Sequence, residues 1–128
     1  MREDWVECKF EDLTKSLKRG PFGGDLKKNI FVKSGYKIYE QQHAIKNDFS
    51  LGHYFIDEKT FKKLEACKVK PGDYIVSCSG TMGRIARLPQ NAPIGIINQA
   101  LLRIKIDEKI INPKYFIEYF KSLLFQKN

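Results

Sequence analysis

The clearest pattern in this chain is an alternation near its end. Leu102, Ile104 and Ile106 are apolar, and Arg103, Lys105 and Asp107 beside them are charged. A repeat of two predicts a strand over 101–106 with one apolar and one polar face. Residues 74–77 and 84–88 have the same strand character, and Pro71-Gly72-Asp73 forms the turn that launches the first of them. The turn formers Ser79-Gly80-Thr81-Met82-Gly83 separate these two strands, and Pro89-Gln90-Asn91-Ala92-Pro93 ends the second.

The earlier part of the chain is more broken. Val6, Cys8 and Phe10 alternate with Trp5, Glu7 and Lys9, which predicts a short half-buried strand. Phe10, Leu13 and Leu17 then fall at helical spacing and predict a short helix over 11–18. Gly20-Pro21-Phe22-Gly23-Gly24 must end it, because Pro lacks an N–H and glycines admit backbone angles that other residues avoid. Tyr36, Ile38 and Glu40 predict a strand leading into polar Gln41-Gln42-His43, with turn-like residues over 47–52. Tyr54 and Ile56 suggest a short strand, and Asp57 then caps a helix with Phe61 and Leu64 inside and Lys59, Lys62 and Lys63 outside. Asn112-Pro113 reads as the cap and first residue of a closing helix, with Phe116, Phe120, Leu123 and Leu124 down one face. The expectation is a single α+β domain over 1–128, with a mixed, curved β-sheet and a few short helices.

Charge narrows the partners. Lys and Arg number 23 against 15 Asp and Glu, a formal net charge of +8, so polyanions come first among candidate partners. There is no apolar run of membrane-spanning length and no secretion-signal layout at Met1-Arg2-Glu3-Asp4-Trp5, so no membrane role is expected. Cys8, Cys67 and Cys78 form neither a disulfide framework nor a metal-ligand spacing, which suggests a cytoplasmic protein with reduced thiols.

Catalytic patterns fail on inspection. Gly80 and Gly83 stand too close for a phosphate loop of the Walker type, and Arg84 occupies the place of its lysine. Asn112-Pro113-Lys114-Tyr115 lacks the second proline of an amino-methyltransferase loop, and no Gly-rich nucleotide turn precedes it. Cys78 has no recognisable nucleophile turn, and His43 and His53 are too few for zinc. The expectation is no catalytic residue, no metal and no cofactor.

What remains suits nucleic acid. Lys15, Lys18 and Arg19 precede the Gly-Pro-Phe loop, and Lys27, Lys28 and Lys33 follow it. Lys18, Arg19, Lys27, Lys28 and Arg84 are the candidate phosphate anchors. Gln41, Gln42, His43, Thr81 and Gln99 are the candidate base contacts, since amide side chains can pair with adenine. Asn98 and Gln99 have a second reading, in which one of them turns inward to satisfy backbone groups at a strand irregularity.

Several motifs in order resemble the target recognition domain of type I restriction–modification DNA specificity subunits. They are Trp5-Val6-Glu7 with Leu13, Gly20-Pro21-Phe22-Gly23-Gly24-Asp25-Leu26-Lys27 and Gly35-Tyr36-Lys37-Ile38-Tyr39-Glu40-Gln41. Pro71-Gly72-Asp73, Ser79-Gly80-Thr81-Met82-Gly83-Arg84-Ile85-Ala86, Ile97-Asn98-Gln99-Ala100 and Pro113-Lys114-Tyr115-Phe116 complete the set. The resemblance implies a non-catalytic reader of double-stranded DNA. Its partners would be a modification subunit, which methylates adenine with S-adenosylmethionine, and an ATP-driven restriction subunit. Only one recognition-like segment is present, without a spacer helix, so the chain resembles a truncated first recognition domain. Two alternatives stay open: a protein-interaction module using the closing helix, or a single-strand binder stacking bases on Phe22, Tyr36 and Tyr39.

Overall fold

The computed structural model describes residues 14–21, 26–80 and 83–127. The predicted strand around Val6, Cys8 and Phe10 lies outside them. Among the described residues are eight strands and three α-helices, an α+β fold with two open sheets where a single curved sheet was expected. The first sheet has the order β1-β8-β5-β6, from β1 (Thr14–Arg19), β8 (Leu101–Ile106), β5 (Tyr74–Ser77) and β6 (Ile85–Arg87), and is antiparallel throughout. The second has the order β3-β2-β7-β4, from β3 (Phe55–Ile56), β2 (Tyr36–Tyr39), β7 (Gly95–Ile97) and β4 (Lys68–Val69). Its central pair, β2 and β7, is parallel, so this sheet is mixed.

The two sheets enclose the larger core. Ile75 and Leu101 from the first sheet meet Ile38, Ile56, Val69, Ile96 and Ile97 from the second. Two short helices close its sides: α1 (Gln41–Lys46) contributes Ala44 and α2 (Glu58–Lys63) contributes Phe61. The opposite face of the first sheet carries a smaller core, in which Tyr74, Val76, Ile104 and Ile106 pack on Phe116 and Phe120 of α3 (Pro113–Lys127). The first sheet is therefore covered on both sides. That explains why all of β5 is buried and why Arg103, on the face expected to be polar, is only 7% exposed.

Local chemistry fixes several boundaries where the sequence placed them. The Asp57 carboxylate accepts a hydrogen bond from Thr60 N at 2.8 Å, capping α2. Asn112 Oδ1 accepts from Lys114 N at 2.9 Å, capping α3. Phe116 is fully buried between α3 and the sheet, which contributes about 2–3 kcal/mol. Among the described residues, no helix is long and apolar enough to cross a membrane.

The start of the described chain also departs from expectation. Residues 14–19, read as the end of a helix, form an edge strand paired to β8 from Thr14↔Ile106 to Arg19↔Leu102, with an irregularity between Thr14 and Ser16. Leu17, counted as an inward helical position, is 43% exposed. The backbone of this segment finds partners in β8, far along the chain, and that pairing outweighs a weak local helical preference.

Candidate nucleic-acid interface

Three connections meet at one end of the first sheet. The first is the β5–β6 hairpin. Ser77 N donates to Arg84 O at 2.9 Å, and the Ser77 hydroxyl accepts from Arg84 N at 3.0 Å, closing its base. Gly80 at φ 57 and Gly83 at φ 82 let the chain reverse, and nothing lies within 4 Å of the position a Gly80 side chain would take. Ser79, Gly80 and Arg84 are accordingly exposed.

The second connection is the turn from β7 to β8, where the chain passes from one sheet to the other. Asn98 Oδ1 accepts from Ala100 N at 3.0 Å, Asn98 N donates to Tyr39 O and Asn98 O accepts from Leu101 N. Asn98 is thus the residue that satisfies backbone groups, and its neighbour Gln99 is exposed. Cys78 N donates to Ala100 O at 2.9 Å, tying this turn to the hairpin.

The third is the end of β1. Arg19 Nη2 donates to Gln99 O at 3.3 Å, and Gly20 N donates to Leu101 O at 3.0 Å. A Cβ on Gly20 would stand 1.8 Å from Asn98 O, so this glycine is required by close backbone approach. Gly20→Ala is expected to push the β7–β8 turn off β1 at a cost of about 1–3 kcal/mol. Faster hydrogen exchange at the amides of residues 20 and 101 would register the separation, and unchanged protection would refute it.

Of the expected site residues, this end of the sheet gathers Arg19, Arg84 and Gln99 directly, with Lys18 exposed beside Arg19 on β1. Among the described residues, none of Lys18, Arg19 and Arg84 pairs with a carboxylate, and all three are exposed. Thr81 lies outside the described residues. Lys27 is exposed at the entry to the 3-10 turn Lys28–Ile30, a segment that packs Leu26, Ile30 and Phe31 on the larger core. For Lys28 only the backbone is described, within that turn.

The Gln41-Gln42-His43 segment needs correction. It forms the first turn of α1, and His43 is completely buried. Its Nδ1 accepts from Glu40 N at 2.9 Å and its Nε2 donates to Leu51 O at 2.7 Å, so the ring holds the helix start and the following loop together. No ring nitrogen is left to read a base. Gln41 Oε1 accepts from Ser79 N at 2.8 Å. A bidentate adenine contact needs both ends of the amide, so Gln41 steadies the hairpin instead. Gln42 Nε2 donates to Glu40 Oε1 at 3.0 Å and is similarly engaged.

The residue that sequence reasoning undervalued here is Ser79, whose backbone N–H joins α1 to the hairpin. The only available signal was its place at the mouth of a Gly-flanked turn. No protein-family model matches the chain, and a search of curated proteins also finds no match.

Proposed function

We propose that this chain reads double-stranded DNA by sequence, without catalysis of its own, as the specificity component of a type I restriction–modification system. The observation that carries the reading is the convergence of three connections with exposed cations at one end of a doubly covered sheet. Such a sheet is a rigid platform. Lys18, Arg19 and Arg84 supply phosphate contacts, while the Gln99 amide and the exposed Ser79 beside the hairpin base face the base edges. The family resemblance supplies the rest: a methyltransferase subunit that modifies adenine and a restriction subunit that cuts.

Two other readings lose part of their support; Phe22 lies outside the described residues, and of Leu123 and Leu124 only the backbone is described. Tyr36 stacks on Phe61, with ring centroids 3.8 Å apart, and Tyr39 is wholly buried with its hydroxyl on Pro93 O. Neither is available to stack on a single-stranded base. Phe116 and Phe120 of the closing helix are covered by this chain's own sheet, so they do not call for an external partner.

The test is a duplex-binding titration across a salt series, with selection from a random duplex pool. Arg19→Ala and Arg84→Ala are each expected to weaken binding on every sequence and to lower the salt slope by about 1. Gln99→Ala is expected to relax preference at a base position, a discrimination of about 1–3 kcal/mol. A flat salt response in the unsubstituted protein, or slopes unchanged by both arginine substitutions, defeats the proposal.

A further inference from the structure

Lys37 stands where a lysine is costly. It lies within β2 between Tyr36 and Ile38 and is only 5% exposed. Its Nζ donates to Phe49 O at 2.6 Å and lies 5.5 Å from the centroid of the Tyr39 ring. An ammonium has three N–H donors, so one carbonyl and one ring face leave it short of acceptors. The amine lies at the wall of an open pocket, so solvent or a bound group can complete its shell. Burial lowers the amine below the ordinary lysine range, and the Asp48 carboxylate partly opposes that shift.

Lys37 and Phe49, joined by that hydrogen bond, both line a pocket of about 500 Å³, together with Asp48, Ser50, Pro89 and Pro93. The pocket is an open groove, which would cover only one side of a small ligand. Its walls are the loop after α1 and the loop between β6 and β7. The latter leaves β6 at the end opposite the hairpin, so the pocket is separate from the candidate nucleic-acid interface.

We propose that this pocket binds a small monocarboxylate with a compact apolar body. The carboxylate completes the shell of the Lys37 ammonium, and the body rests on Phe49 and the two prolines. Asp48 sets the limit on charge. Its Oδ1 is fixed by Ser50 N at 3.0 Å and Ser50 Oγ at 2.6 Å, so a carboxylate is held at the pocket wall. Its repulsion grows with the charge of the ligand, so a multiply charged anion is disfavoured more than a singly charged one. This site is independent of DNA reading.

Benzoate is the probe, followed by amide NMR shifts of Phe49, Ser50, Asn91 and Ala92 in the intact chain, with inorganic phosphate as the comparison. Saturable benzoate shifts are expected at these residues, with phosphate binding at least tenfold more weakly. Lys37→Met keeps the stem and removes the charge, and is expected to weaken benzoate at least tenfold. Should that variant not fold, Ser50→Trp closes the mouth from an exposed position, leaves Lys37 in place, and is expected to cause a similar loss. No saturable shift in the unsubstituted chain, undiminished benzoate binding in folded Lys37→Met or in Ser50→Trp, or phosphate matching benzoate would each overturn the proposal.

Discussion

Gly95→Ala is expected to destabilise the fold by about 3–4 kcal/mol, near the top of the range for a single added methyl. The position allows no room. An ideal Cβ there would stand 1.9 Å from Lys37 O and 2.8 Å from Lys37 C, both backbone atoms of the parallel partner strand. Gly95 also pairs with Val69 on its other side, so β7 cannot slide away from β2 without losing β4. Conformational freedom is not the issue, since Gly95 has no positive φ. Gly80 makes the contrast: its φ is 57, yet nothing lies within 4 Å of the added atom. Gly80→Ala should therefore cost only backbone strain of about 1–2 kcal/mol. Urea unfolding of both variants measures the difference through the midpoint at constant slope. A loss below about 1 kcal/mol for Gly95→Ala would mean that the second sheet relaxes more readily than its pairing implies.

Local signals were legible and distant ones were not. The strands at 74–77 and 101–106, the caps at Asp57 and Asn112 and the hairpin around Gly80 all depend on residues within a few positions of each other, and all were readable. The short helix at Gln41 was not expected. It is held by His43 beneath its start and by Asn47 in the left-handed region at its end, and six residues carry too little periodicity to announce a helix. Residues 14–18 were read as helix from the spacing of Phe10, Leu13 and Leu17, while the actual partner of β1 lies in β8. The division into two sheets rests on the parallel pairing of Lys37 with Gly95 and Tyr39 with Ile97, which no local pattern encodes. For the site, Arg19, Arg84 and Gln99 were named from side-chain chemistry and stand together. His43 was misplaced because a polar residue in a polar run gives no sign that the fold will close over it.

Arg103 shows the same failure of the alternation rule, and removing it should have the other large effect on this fold. Its charged neighbours in sequence suggested a solvent face, but the second sheet covers that face of β8. Nη1 donates to Ala66 O at 3.2 Å and Lys68 O at 2.7 Å, and Nη2 donates to Ser16 Oγ at 2.9 Å. Among the described residues no carboxylate pairs with it, and Nε is buried without an acceptor. One guanidinium therefore joins the second sheet, through β4 and the residues before it, to edge strand β1 of the first. Arg103→Ala is expected to cost about 3–4 kcal/mol, from lost charge-assisted hydrogen bonds, stranded carbonyls and lost packing of the stem. Arg103→Met retains the stem and should cost about 1–2 kcal/mol, because an apolar replacement also relieves the burial of charge. Arg103→Lys should not restore stability, since a single ammonium cannot reach acceptors spread across the fork. If the methionine variant proves as stable as the unsubstituted protein, the arginine contributes no net stability. Its role would then be to set the register of β1, and faster hydrogen exchange at Leu17, Lys18 and Arg19 would show it. Lys18 and Arg19 are also proposed phosphate anchors, so loosening β1 should lower duplex affinity although Arg103 itself is buried beneath the strand.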